Sequence, residues 1–151
     1  MSKFLNQIRS LKKINKSTIT NKNFLIKRED NIEIYYAPFD YINSKAKIMI
    51  VGITPGLQQM LQSFEAVNEG RSLKEVKDLS SFKGSMRTTL IKYLDALNIN
   101  KKLRIKSWCS LRHVTWHETH ITYLCTASYL PNQPAAAQLS VARRAVETIP
   151  M

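Results

Sequence analysis

Ten residues constrain this chain more than any others: Lys47-Ile48-Met49-Ile50-Val51-Gly52-Ile53-Thr54-Pro55-Gly56. Met49, Ile50 and Val51 suit a strand buried on both faces, as in a parallel sheet. The run stops at a turn bracketed by Gly52 and Gly56, which let the backbone bend tightly and lie close to another molecule, while Pro55 fixes φ. Thr54 puts a hydroxyl just beyond the carboxyl end of the strand, where ligands bind in open α/β sheets. The turn is the first candidate for a site. A purely structural strand-to-helix turn is the plainer alternative.

Apolar spacing maps the surroundings. Phe4, Leu5, Ile8, Leu11 and Ile14 predict an amphipathic helix over 2–16, ringed by Lys3, Arg9, Lys12, Lys13 and Lys16. It is expected to dock on the core rather than on a membrane surface. Residues 31–39 read as a strand that Pro38 ends or confines to an edge, and 47–53 as the next. Leu57, Met60, Leu61, Phe64 and Val67 have helical spacing that Asn68-Glu69-Gly70 stops. The polar stretch 70–80 reads as a loop with one short helical turn at 73–79. Ser85 is placed as the N-cap of a helix carrying Met86, Leu90, Ile91, Leu94 and Leu97.

Gly52-Ile53-Thr54-Pro55-Gly56 after an apolar strand resembles the first signature of the uracil-DNA glycosylase superfamily. Its mismatch-specific and single-strand-selective branches show Gly, an apolar residue, Asn, Pro and Gly at this place. The resemblance covers about residues 32–106. It implies an α/β fold, three-layer α/β/α around a short, mostly parallel sheet, here incomplete at the C-terminal end. It also implies a DNA partner, and a pocket for a flipped-out base lined by Gly52, Ile53, Pro55 and Gly56. Thr54 would position the attacking water, with no metal and no organic cofactor. Thr54 departs from the pattern: its hydroxyl holds a water by hydrogen bonding but is no general base near neutral pH.

The segment Phe82-Lys83-Gly84-Ser85-Met86-Arg87 extends the resemblance. Glycosylases of this type often have a Gly- and Ser-containing turn opening a helix near the DNA backbone. Lys83, Gly84, Ser85 and Arg87 are accordingly the candidate phosphate contacts, with free amides at the helix start. A simple helix start is the alternative. Tyr36, Phe39, Phe64 and Phe82 could stack a base or fill the core.

Charge points to a polyanion. The chain carries a formal net charge of +12, and residues 1–28 hold eight Lys or Arg and no acid. A basic arm of this kind favours nucleic-acid phosphates, with little sequence information in the contact; a solvated basic helix face is the alternative. The 44% hydrophobic content excludes a disordered chain. No run approaches the ~20 apolar residues that span a bilayer, and the N-terminus lacks the apolar stretch of a secretory signal. A cytoplasmic protein is the default expectation. Two cysteines suggest no disulfide framework.

The character of the chain breaks near residue 107. Fifteen lysines precede Ser107 and none follow, whereas both Trp, both Cys and all three His come after it. Residues 1–106 therefore read as an N-terminal helix plus a partial glycosylase-like domain, and 107–151 as an atypical tail. A frameshift or fusion near 107 would account for the break; the tail offers no second glycosylase signature. A helix over 109–120 would put Cys109, His113, His117 and His120 on one face, with Cys125 beyond, but the spacing matches no strong zinc pattern. Ile121, Tyr123 and Cys125 alternate as in a short strand, and Leu139 to Ile149 read as a final helix. A non-catalytic basic nucleic-acid-binding protein, or an inactive remnant, is the competing functional reading.

Overall fold

A hydrophobic cluster built from Leu5, Ile8, Ile19, Phe24, Phe64 and Val67 ties the N-terminal third of the chain to its central helices. The structure is a computed structural model and describes residues 3–29, 32–44, 48–52, 54–102, 104 and 119–123. The order of elements is helix α1 (Lys3–Arg9), helix α2 (Lys16–Ile19), a 3₁₀ turn (Lys22–Phe24), strands β1 (Leu25–Glu29), β2 (Ile32–Tyr35) and β3 (Ile48–Gly52), helices α3 (Leu57–Asn68), α4 (Leu73–Ser80), α5 (Ser85–Ala96) and α6 (Ile99–Lys102), and strand β4 (Thr119–Tyr123). The chain is a mixed α/β protein. Among the described residues no helix is long and apolar enough to cross a membrane.

The N-terminal helix expected over 2–16 stops at Arg9 and a second helix begins only at Lys16, because side chains divert the backbone between them. Ser10 Oγ donates to the Gln7 carbonyl at 2.8 Å. Asn15 adopts an extended backbone, φ −155° and ψ 177°, and caps α2 instead of continuing α1. Its Oδ1 accepts from the Thr18 amide at 3.0 Å while the Asn15 amide donates to Thr18 Oγ1 at 2.8 Å. This reciprocal pair satisfies the free amides of a new helix start. Leu11 and Ile14 still pack on the core, from non-helical backbone.

The end of α1 is held from a distance. Asn68, the last residue of α3, donates its side-chain amide to the carbonyls of Ile8, Arg9 and Leu11 at 2.9, 3.3 and 3.0 Å. Ile8 and Arg9 close α1 and Leu11 follows it, so one side chain bridges the helix end to α3; the Ile8 carbonyl also accepts from the Leu11 amide at 3.1 Å. Stacked Phe4 and Tyr36, with ring centroids 4.6 Å apart, and edge-on Phe24 and Phe64, at 5.0 Å, complete the packing.

Among the described residues the strands form two separate pairs. β1 and β2 are antiparallel, with Arg28 opposite Glu33 and a register irregularity between Leu25 and Lys27. β2 stops at Tyr35, short of the expected end at residue 39. The buried residues from Tyr36 to Phe39 form an irregular passage toward β3. β3 and β4 are parallel, with Ile48 opposite Thr119 and Gly52 opposite Tyr123. A parallel pair needs a crossover connection, and the stretch between the two strands contains α3 to α6.

Two expectations for the helices are corrected. Residues 73–80 are a full helix, not a loop with one turn, because Ser72 and Glu75 make a capping box. The Ser72 amide donates to Glu75 Oε2 at 2.9 Å, and the Glu75 amide returns to Ser72 Oγ at 3.3 Å. Ser85 is the first residue of α5 and Gly84 is its N-cap, at φ 92° and ψ −153°. A side chain is strongly disfavoured in that region of backbone space.

Candidate functional site

The turn after β3 joins a parallel strand to α3, which buries Met60, Phe64, Ala66 and Val67. Gly52 ends β3, Thr54 is half-buried, Pro55 is buried, and Gly56 is the exposed N-cap of α3. Ile53 lies outside the described residues. Thr54 Oγ1 donates to the Pro55 carbonyl at 3.1 Å, so the hydroxyl that would hold a water also holds its own turn. The buried Gln59 side chain returns to the turn and accepts from the Gly56 amide at 3.1 Å.

Gly56 departs from the sequence expectation in an informative way. Its φ of −70° and ψ of 165° suit any residue. A Cβ built there meets nothing within 4 Å. The fold therefore does not require glycine at 56. What glycine preserves is open space beside the first amides of α3, at a helix N-terminus where anions and electronegative atoms are favoured.

The second predicted cluster, Lys83, Gly84, Ser85 and Arg87, divides on inspection. Gly84 and Ser85 are exposed at the start of α5. Lys83 reaches Gln62 Oε1 on α3, tying this turn to the helix that follows the Thr54 turn. Arg87 points inward. Its guanidinium donates to the carbonyls of Asp78 at 2.9 Å, of Leu79 at 3.3 Å and of Ser81, at the C-terminal end of α4. A cation there also complements the helix dipole. The same turn holds Phe82 at φ 50° and the fully buried hydroxyls of Ser80 and Ser81, neither bonded among the described residues.

The base-stacking candidates belong to the core: Tyr36, Phe39, Phe64 and Phe82 are all buried. His120 lies in β4, opposite Met49, so the helical face proposed for Cys109, His113, His117 and His120 does not extend through His120. Cys109, His113, His117, Cys125 and the helix expected at 139–149 lie outside the described residues.

The basic arm keeps its charge outward. Leu5 and Ile8 of α1 are buried, which confirms docking on the core, while Lys3 and Arg9 of that helix and Lys12, Lys13, Lys16 and Lys22 beyond it are exposed.

One buried cation escaped the sequence reading. Lys77 is only 5% exposed, on the α4 face that also buries Val76 and Ser80. Its Nζ donates to the Tyr41 carbonyl. Burial pulls its pKa down to about 8, against the opposing pull of Asp40 and Asp78. Tyr36 donates its hydroxyl to Asp40, so residues 36–41 are pinned from both sides just ahead of β3. The helical spacing of Leu73, Val76, Lys77 and Ser80 was the available signal. It is hidden because a lysine and a serine stand at two of the buried positions.

On the hairpin, Tyr35 donates to Glu33 Oε2 at 2.5 Å and Arg28 pairs with the same carboxylate. Burial and the neighbouring carboxylate push the Tyr35 hydroxyl up to about 12. The bonds from Tyr35 and Arg28 hold Glu33 below the usual carboxylate range.

No family model and no solved structure matches the chain. It is similar to a Bacillus subtilis (strain 168) protein described as "Uncharacterized protein YoxB". The two are 33% identical over 118 residues, which is 72% of this chain and 46% of the relative. The chain thus spans about half the length of that curated relative.

Proposed function

We propose that this chain is a uracil-DNA glycosylase-like domain that binds DNA and receives a flipped-out base at the turn from Gly52 to Gly56. The observation that carries the reading is the junction itself: a parallel strand, a glycine-bracketed turn, and a helix N-terminus kept open by Gly56. The finer architecture proposed with it is the three-layer α/β/α arrangement, in which β3 and β4 would be two strands of the parallel sheet. The exposed cations of residues 3–28 would hold the phosphates, with Lys83 and the start of α5 adding to them. Arg87 would act only through the shape of the α4–α5 turn.

Hydrolysis of an N-glycosidic bond at this site needs an extruded base, a positioned water and stabilisation of the departing base anion. Thr54 would position the water, and the open amides at the start of α3 would face the developing negative charge. Incision of uracil-containing single- and double-stranded DNA tests this directly. Activity lost in Thr54→Ala and raised in Thr54→Asn is the expected result. No cleavage by the wild type would refute the enzyme.

A non-catalytic nucleic-acid-binding protein is the second reading, favoured by the engagement of the Thr54 hydroxyl with its own backbone. It predicts binding that weakens steeply with salt and survives substitution at Thr54. Charge-removing variants of Lys12, Lys13 and Lys22 are the right probes of the arm. Deleting the arm would also remove Leu5, Ile8, Ile19 and Phe24 from the core.

A further inference from the structure

The basic arm folds around a small pocket that the turn at Gly52–Gly56 does not touch. The pocket opens to solvent on one side and has a volume of about 180 Å³. Gln7, Ser10, Thr18, Asn21 and Asn23 line it with amide and hydroxyl groups, and Phe24 closes its apolar side. A cavity of about 150 Å³ is enough for one benzene ring, so the space fits a single planar ring system.

Its polar groups are only partly used. Asn21 Oδ1 accepts from the Asn23 amide at 3.0 Å, and Ser10 Oγ is spent on the Gln7 carbonyl. Gln7 Oε1 is buried and accepts no hydrogen bond among the described residues. A buried acceptor without a donor is costly, and a ligand N–H placed against it would relieve that cost.

Charge completes the description. The lining side chains are uncharged, but exposed Lys22 lies between Asn21 and Asn23, and exposed Lys12 and Lys13 directly follow Leu11, which also lines the pocket. A neutral, hydrogen-bonding interior with a cationic rim suits a molecule that joins a planar polar ring to an anion. Glutamine and asparagine amides are the side chains that read the edges of nucleobases.

We propose that this pocket binds one nucleobase, its amino group donating to Gln7 Oε1 and its phosphate lying toward Lys22 and the Lys12–Lys13 pair. The base comes from an unpaired nucleotide of a single strand or from a free mononucleotide. The inference rests on the reading of the arm as a nucleic-acid-binding surface and gives that surface a second nucleotide position, separate from the Thr54 turn.

Calorimetric titration with adenosine monophosphate and with ribose 5-phosphate tests it. The nucleotide should bind about tenfold more tightly than the sugar phosphate, the discrimination that one well-placed pair of base contacts supplies. Gln7→Leu should erase that advantage while leaving ribose 5-phosphate binding unchanged, and Lys22→Gln should weaken both ligands alike. Asn23→Ala, at an exposed position, gives the same readout should Gln7→Leu fail to fold. Equal affinity for the two ligands, or a base preference that survives both Gln7→Leu and Asn23→Ala, would overturn the proposal. Parallel titration with an adenine-rich single-stranded oligonucleotide separates the sources and the failures. Steep, salt-dependent oligonucleotide binding with equal affinity for adenosine monophosphate and ribose 5-phosphate refutes the pocket and leaves the arm standing. No oligonucleotide binding at low salt refutes both.

Discussion

Lys77 should make this protein more stable as the solution becomes alkaline, against the usual trend for a folded domain. Its amine titrates near 8 in the folded chain, against an ordinary value of 10.5. Between those values the unfolded chain holds a proton on residue 77 that the folded chain has released, so raising the pH favours folding. Each unit of separation corresponds to about 1.4 kcal/mol, and the full difference to about 3 kcal/mol. Over the accessible window from about pH 7 to about pH 9.5 the gain works out at about 2 kcal/mol. Tyr35 and Lys74, whose pKa values are raised, oppose this at still higher pH. The comparison is therefore made against Lys77→Met, which fills similar volume and does not titrate. Urea unfolding of both proteins across the window should show the wild type gaining about 2 kcal/mol relative to the variant. Parallel pH profiles would refute the reasoning, because they would mean that the Lys77 amine reaches water. Asp40→Asn sharpens the test: removing a carboxylate that stabilises the charged amine should move the wild-type rise to lower pH.

Four further outcomes are expected. Asn68→Ala should lower stability by about 1–3 kcal/mol, since it removes the hydrogen bonds that tie the end of α1 to α3; thermal melts read it, and hydrogen exchange should show the loss concentrated in residues 3–11. Gly84→Ala should destabilise by about 1–2 kcal/mol because of its positive φ. Gly56→Ala should leave the melt within about 0.5 kcal/mol yet weaken DNA binding at the turn; a large loss of stability there would refute the open space described beside α3. Tyr35→Phe should raise the pKa of Glu33 toward that of an ordinary carboxylate, followed by NMR titration, because it removes the first of the hydrogen bonds that hold the charged form.

Much of the central domain was legible because its signals are local. β3 and α3 follow from an uninterrupted apolar run and a clean helical period, and Thr54 to Gly56 precede α3 as expected. Where the reading failed, side chains had overridden the period. The apolar spacing runs on through Leu11 and Ile14, but Asn15 spends its side chain on starting a new helix. The helix at 73–80 was obscured by polar residues on its buried face, although Ser72 and Glu75 carried its start signal. The direction of Arg87 has no local signature: nothing in its neighbours tells whether a guanidinium turns to solvent or to the carbonyls of the preceding helix. The parallel pairing of β3 with β4 is equally silent in sequence, since alternation in Ile121 and Tyr123 marks a strand without naming its partner.

That pairing also fixes an order of events during synthesis. β1 and β2 are neighbours and can close as a hairpin soon after they leave the ribosome, and α1 can be capped once Asn68 has emerged. β3 must wait until the whole crossover carrying α3 to α6 has been made and β4 follows it. Closing so long a loop is entropically slow, and contacts of this separation form late. During that interval β3 is an apolar strand with unpaired backbone, open to the wrong partner. The early hairpin and the capped arm are local structure that can form before β4 arrives.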